Sequence, residues 1–190
     1  MAAENDGFND VVYGVDIDSD GKILVTGHFT QYTYNETTYN INHIMKLNSD
    51  GSPDEIFLSG VTGFTNSYDI SKVVCLDSGK YLVCGSFDEY VDINNTYSIT
   101  SLVRLNNDGT LDETFNYTGF TTTQWQPYLY DMKVQEDGKI VVGGYFKGYV
   151  DSQGSYDFVN YLIRLTEDGE FDDTFFYNLG ADEGINGTVW

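Results

Sequence analysis

Apolar residues in this chain come in runs of about four to eight, rich in Val, Ile, Tyr and Phe, and the runs are parted by Asp-Gly or Ser-Gly pairs. Runs of that length between turn-forming dipeptides predict antiparallel strands and not helices. The pattern also repeats, with a period of about 59 residues. Gly21, Gly79 and Gly138 each precede a lysine (Lys22, Lys80, Lys139) and an apolar triplet, Ile23-Leu24-Val25, Tyr81-Leu82-Val83 and Ile140-Val141-Val142. A Gly-x-Phe follows in each copy: Gly27 and Phe29, Gly85 and Phe87, Gly144 and Phe146. Then come Ile44-Met45-Lys46-Leu47, Leu102-Val103-Arg104-Leu105 and Leu162-Ile163-Arg164-Leu165, which lead into Asp50-Gly51, Asp108-Gly109 and Asp168-Gly169. Each copy closes on Asp-x-x-Phe: Asp54 to Phe57, Asp112 to Phe115, Asp172 to Phe175.

These marks predict four strands per period. Asp20-Gly21, Ser78-Gly79 and Asp137-Gly138 suit tight hairpins, because glycine takes positive φ without steric cost. Tyr32 and Tyr39, Tyr90 and Tyr97, Tyr149 and Tyr156 are each seven residues apart around a polar centre, so they should face each other across a second hairpin. The later Asp-Gly should turn strand three into a short strand four carrying the Asp-x-x-Phe. A four-stranded meander exposes both faces and must stack on its neighbours, as the blades of a propeller do.

The expected fold is all-β: four-stranded antiparallel blades, β-propeller-like, three full repeats plus the start of a fourth. The chain, 1–190, reads as a single array with blades at about 7–59, 60–118 and 119–180; residues 184–190 restate residues 7–13 as a partial strand. Three blades are fewer than the four to eight that normally close a ring. A piece of a longer array, chains that complete one another, and a compact three-bladed unit all remain open. The extra strand favours the first two, since its unpaired edge would invite another chain.

The series Asp-Gly-Lys, apolar triplet, Gly-x-Phe, then apolar-Arg-Leu-Asn-x-Asp-Gly-x-Leu-Asp-x-x-Phe resembles the delta-60 repeat, a β-propeller-like family of bacterial surface and phage proteins. The second copy shows the closing half intact, from Leu102-Val103-Arg104-Leu105 through Asp108-Gly109 to Asp112 and Phe115. The first copy departs with Lys46 and Pro53, the second with Ser78. The resemblance covers nearly the whole chain and implies a scaffold or adhesive role more than a reaction.

Charge narrows the partners. With 30 acidic against 9 basic residues the net charge is -21, which makes close approach to phosphate backbones and anionic membranes unfavourable and disfavours both as partners. An apolar content of 41%, with 16% aromatic, excludes disorder. No apolar stretch approaches the ~20 residues of a membrane span, and the first five residues do not read as a signal peptide. Cys75 and Cys84 flank one hairpin turn as diagonal neighbours, too far apart for an unstrained bridge, and read as small buried apolar residues.

Recurring positions should serve every blade, and residues that occur once are freer to serve a ligand. Six of the nine basic residues fall in two recurring columns, Lys22/Lys80/Lys139 and Lys46/Arg104/Arg164. The second column should pair with Asp54, Asp112 and Asp172. Asp16, Asp18 and Asp20 before Gly21 match the first half of a calcium loop, although the twelfth position is Gly27 and not glutamate. They are candidate Ca2+ ligands, with a solvated acidic turn as the competing reading; no other cofactor is implied. His28 and His43 lack any partner motif for catalysis. Asn35, Asn94, Asn116 and Asn186 head Asn-x-Ser/Thr sequences, which chance explains in so polar a chain.

The third copy inserts residues 121–128 before its first strand, including Trp125 and Tyr128. Exposed aromatics beside Gln and Thr stack on sugars or anchor protein contacts, and the alternative is that Trp125 covers the open side of a blade. The candidate ligand-binding residues are therefore Trp125, Tyr128 and the hairpin tyrosines Tyr32, Tyr39, Tyr90, Tyr97, Tyr149 and Tyr156. The functional expectation is a non-enzymatic structural or binding module of an extracellular or virion assembly, in the first instance a phage tail or capsid-associated component. A bacterial surface adhesin fragment binding glycan or protein is the alternative, and a secreted carbohydrate-active enzyme a distant third. Expected partners are other copies of the chain, other structural proteins or a surface glycan, with no nucleic acid and no membrane span.

Overall fold

A computed structural model describes residues 6–123, 125–157 and 159–177. The expected partial strand at 184–190 lies outside the described residues. The first repeat holds β1 (Gly7–Phe8), β2 (Val12–Ile17), β3 (Ile23–Gly27), β4 (Gln31–Tyr34), β5 (Thr37–Asn40), β6 (Ile44–Leu47) and helix α1 (Glu55–Gly60). The second holds β7 (Val61–Cys75), β8 (Tyr81–Asp92), β9 (Thr96–Ser98) and β10 (Leu102–Leu105). The third holds β11 (Tyr117–Thr121), β12 (Tyr128–Val134), β13 (Ile140–Tyr145), β14 (Gly148–Asp151), β15 (Ser155–Tyr156), β16 (Leu162–Leu165) and α2 (Thr174–Tyr177).

The second repeat displays the plan most plainly. β7 and β8 form one long antiparallel hairpin, and the far side of β8 carries β9 and then β10. In the other two repeats the same hairpin breaks at its bend into two three-stranded halves, β2-β3-β6 with β1-β4-β5, and β12-β13-β16 with β11-β14-β15. The break lies just ahead of a register shift in the first strand, between Val12 and Gly14 and between Leu129 and Asp131. This bend explains the recurring Gly-x-Phe. A Cβ at Gly27, Gly85 or Gly144 would sit 2.2, 2.2 or 2.3 Å from the carbonyl oxygen of Val11, Asp69 or Tyr128, so only glycine lets the first strand cross. The phenylalanine two residues on is fully buried in all three copies.

The predicted turns form. Asp18 N–H donates to the Lys22 carbonyl (2.9 Å) and Gly21 N–H to the Asp18 carbonyl (3.0 Å), with Gly21 at φ +74. Tyr32 lies opposite Tyr39, Tyr90 opposite Tyr97 and Tyr149 opposite Tyr156, as their spacing required. The fourth strand does not form as expected. It shrinks to single bridges, Leu47 to Pro53, Leu105 to Leu111 and Leu165 to Phe171. Beyond each bridge the aspartate turns the chain by accepting N–H donors ahead of it: Asp54 caps α1 through Ile56 and Phe57 (3.0 and 3.2 Å), and Asp112 and Asp172 take Thr114 and Thr174 (both 3.1 Å). Cys75 pairs opposite Tyr81 and Cys84 opposite Lys72, further apart than diagonal neighbours; both are free thiols, Cys84 buried and Cys75 half-buried.

The repeats share little backbone pairing, a single parallel bridge from Asn42 to Gly63 joining the first to the second, and the core lies largely between them. Leu24, Ile44 and Phe57 of the first repeat pack with Phe64, Val73, Tyr81, Val83 and Phe87 of the second. Leu82, Cys84 and Leu102 of the second pack with Leu129, Met132, Val142, Phe146 and Ile163 of the third. Residues alternate along each strand, so one row of a blade faces the repeat before and the other the repeat after.

Candidate functional site

Recurring charges are consumed by the scaffold. Asp112 is buried and meets Lys80 Nζ at 2.7 Å and Arg104 Nε at 2.5 Å; Asp172 meets Arg164 Nε at 2.7 Å and Lys139 Nζ at 3.2 Å. Both basic columns thus converge on one carboxylate per repeat, whereas the sequence reading paired only the second. Burial works against ionisation of Asp172, but hydrogen bonds from Thr174, Lys139 and Arg164 outweigh it and hold its carboxyl at about 2. The first repeat differs because its second-column residue is lysine. Lys46 Nζ lies 3.9 Å from Asp54, which Lys22 meets at 2.5 Å, and Lys46 donates instead to the Tyr81 hydroxyl of the next repeat at 2.6 Å.

The hairpin tyrosines divide. Tyr32, Tyr90 and Tyr149 are buried, and each hydroxyl donates to the carbonyl of an Asp-Gly turn: Gly51 at 2.8 Å, Gly109 at 2.5 Å and Gly169. Burial corrects the expectation that these three contact a ligand. Tyr39, Tyr97 and Tyr156 are half-buried; the Tyr97 hydroxyl donates to Glu113 (3.3 Å), and the Tyr156 ring lies 4.4 Å from that of Phe171.

Asp16, Asp18 and Asp20 do not converge on a cation site. Asp16 Oδ2 accepts the Cys75 N–H at 2.8 Å across the repeat boundary. Asp18 accepts from Asp20 N–H, Lys22 N–H and the Tyr81 hydroxyl. Burial raises its carboxyl, yet these donors and Lys46 bring it below the usual range. Among the described residues no group of three or more His, Cys, Asp or Glu side chains is placed to hold a metal. The Asp16 and Asp18 carboxylates act as turn and inter-repeat acceptors.

Trp125 is 72% exposed and lies in the segment leading to β12, so it does not cover a blade. Tyr128, at the start of β12, is half-buried, and its hydroxyl donates to Asp69 Oδ2 of the second repeat at 3.1 Å. Burial pushes the Tyr128 phenol up to about 12, with the Asp69 charge adding to it. The Tyr130 ring sits 4.8 Å from that of Tyr128 and is exposed. From the first repeat, the exposed Tyr13 lies near enough to Asp69 for that charge to raise its phenol above the ordinary value. One carboxylate of the second repeat therefore lies beside tyrosines of the first and third, and the exposed Tyr68 adjoins it in sequence.

Sequence reasoning missed Tyr13, Tyr68, Asp69 and Tyr130. The carbonyls of Val11, Asp69 and Tyr128 cover equivalent glycines, so these residues hold equivalent places, and so do Tyr13, Ser71 and Tyr130 two residues on. The backbone recurs there while the side chains change. From this bend the first strands β2, β7 and β12 run side by side towards the Asp-Gly hairpins, flanking a groove of about 400 Å³ lined by Val15, Asp16, Lys72, Cys75, Lys133 and Glu136 among others. The chemistry on offer is flat aromatic faces around a carboxylate and phenol hydroxyls, suited to stacking and hydrogen bonding.

Antiparallel blades that recur three times and stack face to face define a β-propeller repeat protein. The chain belongs to the family described as "Domain of unknown function (DUF5122) beta-propeller", which it matches over residues 19–57, 72–115 and 135–175, once per repeat and well over half the chain in all. No curated protein matches it. Tyr13, Tyr68, Asp69, Trp125, Tyr128 and Tyr130 all fall outside the matched segments. No helix among the described residues is long and apolar enough to cross a membrane.

Proposed function

We propose that this chain is a non-enzymatic binding module of an extracellular or virion assembly, a phage tail or capsid-associated component or a cell-surface adhesin, which takes neutral saccharide on the Asp69 surface. The observation that carries this reading is the hydrogen bond of Tyr128 to Asp69 with the Tyr130 ring against that of Tyr128 and the exposed Tyr13 near the same carboxylate, at positions where the repeats otherwise differ. Phenol rings pack against the apolar faces of pyranoses while a carboxylate accepts from paired hydroxyls. A non-catalytic role is favoured because the recurring carboxylates Asp54, Asp112 and Asp172 are each held by lysine or arginine.

The test is a glycan array followed by calorimetry on the best neutral oligosaccharide. Binding without turnover, weakened about tenfold or more by Tyr130→Ala and by Asp69→Asn, is expected. Binding that survives both substitutions, or hydrolysis of the bound sugar, would overturn the assignment. A purely structural role is the second reading, and the exposed apolar row Val12, Val15 and Ile17 favours it.

A further inference from the structure

The two ends of the array are the two halves of an interface that the chain already contains twice. Along the first strands, Val15, Val73 and Met132 occupy equivalent ladder positions, opposite Val25, Val83 and Val142. Val73 and Met132 face the preceding repeat and are 0% and 1% exposed; Val15 has no described repeat before it and is 56% exposed. Val12 and Ile17, on the same side of β2, are exposed as well. The opposite end shows the converse. Leu24 and Leu82 are fully buried beneath the following repeat, as are Ile44 and Leu102, whereas their counterparts Val141 and Leu162 are only half-buried.

Polar contacts at the internal interfaces point the same way. Lys46 Nζ donates to the Asn107 carbonyl of the second repeat (3.3 Å), and Arg104 Nη1 donates to the Glu167 carbonyl of the third (2.7 Å). In each case the second-column cation reaches the residue two before the glycine of the next repeat's Asp-Gly turn. Ser49 is that residue in the first repeat, and it is exposed. The turn glycines agree: a Cβ at Gly109 would lie 3.1 Å from Phe57 of the preceding repeat, and one at Gly169 2.7 Å from Phe115, but at Gly51 only Tyr32 of the same repeat comes within 4 Å among the described residues.

We infer that the leading face of the third repeat docks on the trailing face of the first repeat of a second copy of this chain, with Val141 and Leu162 against Val12 and Val15 and Arg164 donating to the Ser49 carbonyl. The occupant is a second copy because every copy carries both halves, and the internal interfaces supply the geometry. Head-to-tail contacts close into a ring or run on as a filament. Two copies give six blades, inside the four-to-eight range of closed propellers, whereas one copy gives three and three would give nine. Closure by a pair therefore buries both open faces. With a net charge of -21 on each chain, pairing requires screening, which physiological salt provides over about 8 Å.

The test is light scattering on the purified chain across a hundredfold concentration range at about 0.15 M salt. A mass near 43 kDa, twice the 21.4 kDa of one chain, is expected. Val15→Glu places a charge on a side chain that is exposed in the single copy, so it leaves the melting temperature of the monomer intact and weakens association on the order of a hundredfold or more. Leu162→Glu, with Val141→Glu as a second choice if it misfolds, does the same from the other face. Mixing the Val15→Glu and Leu162→Glu chains restores a two-chain species, because one intact pair of faces remains. A mass of 21.4 kDa at every concentration, as further repeats of a longer parent would leave, overturns the inference; so does a dimer indifferent to Val15→Glu, or a mixture that stays monomeric.

Discussion

Replacing Asp112 by asparagine isolates the charge at the junction of the second repeat. Asparagine is as good an N-terminal cap as aspartate and keeps an oxygen for the Thr114 N–H, so the turn survives while the negative charge goes. Arg104 then has no counter-ion. Its side chain is only 7% exposed, its Nε lies 2.5 Å from Asp112, and its remaining partners, the Glu167 carbonyl and Thr114 Oγ1, carry no formal charge. Removing one partner from a buried ion pair costs about 3–5 kcal/mol. That is a large share of the ~5–15 kcal/mol by which a domain is stable, and for a chain of this length it lowers the melting temperature by roughly 6–20 °C. Lys80→Met removes the half-exposed cation from the same carboxylate and should cost only about 0–1 kcal/mol, since Arg104 still neutralises it. Asp54→Asn should fall between, at about 1–3 kcal/mol, because Lys46 keeps Asp18 at 3.5 Å and the Tyr81 hydroxyl. Urea unfolding of the three variants gives the ranking directly. An Asp112→Asn loss under 1 kcal/mol, or one equal to that of Lys80→Met, would refute the reasoning.

Acid should unfold the protein through the same carboxylates: Asp54, Asp112 and Asp172 are depressed in the folded state, so their contribution is complete above the unfolded value of about 3.9 and is lost as pH falls towards 2 and below; urea midpoints at a series of pH values should drop across that window, less steeply in Asp112→Asn. Gly144→Ala forces a Cβ to within 2.3 Å of the Tyr128 carbonyl oxygen and should cost about 2 kcal/mol or more, whereas Gly154→Ala, with open space around it, should stay within about 0.5 kcal/mol; equal melting temperatures would remove the steric account of Gly-x-Phe. Burial pushes the Cys75 thiol up to about 12 and Cys84 higher still, so neither should react with a disulfide reagent at pH 8 until urea unfolds the chain, and a rapid native equivalent would contradict the packing.

What was legible in the sequence was what local chemistry decides. A glycine after aspartate or serine fixes a turn through its own φ, so Gly21, Gly79 and Gly138 sit at +74, +76 and +81. A seven-residue gap across a short turn fixes which tyrosines face each other. The fourth strand was misread because Asp-x-x-Phe follows an apolar residue and looks extended, whereas an aspartate with free N–H groups ahead of it caps a turn. The Lys22, Lys80 and Lys139 column has no partner legible in the sequence because each carboxylate lies 32 or more residues downstream and only the pairing of β3 with β6, β8 with β10 and β13 with β16 brings them together. A recurring backbone feature left no trace at all. His43, Ser101 and Tyr161 share φ of +66 to +67 although no residue type recurs, because each carbonyl accepts from Gly27, Gly85 or Gly144 and each N–H donates to Phe29, Phe87 or Phe146.

The candidate surface was half legible, and the missed half is instructive. Sorting recurring from non-recurring residues finds Trp125 and Tyr128 in the inserted segment, but it does not reach the non-recurring residues inside the first strands. Tyr13, Ser71 and Tyr130 hold one strand position with three different side chains, and Val11, Asp69 and Tyr128 another. Such variation inside a strand has a physical licence. At the bend the backbone is fixed from the opposite strand, through the glycine beneath the carbonyls of Val11, Asp69 and Tyr128, so the bend itself does not depend on the side chains there, which differ from repeat to repeat. The same division separates the segments that match the family from those that do not. A repeat scaffold that stabilises each blade through buried charge and glycine crossings leaves its first-strand bends available for recognition, and in this chain those bends carry tyrosines around one carboxylate.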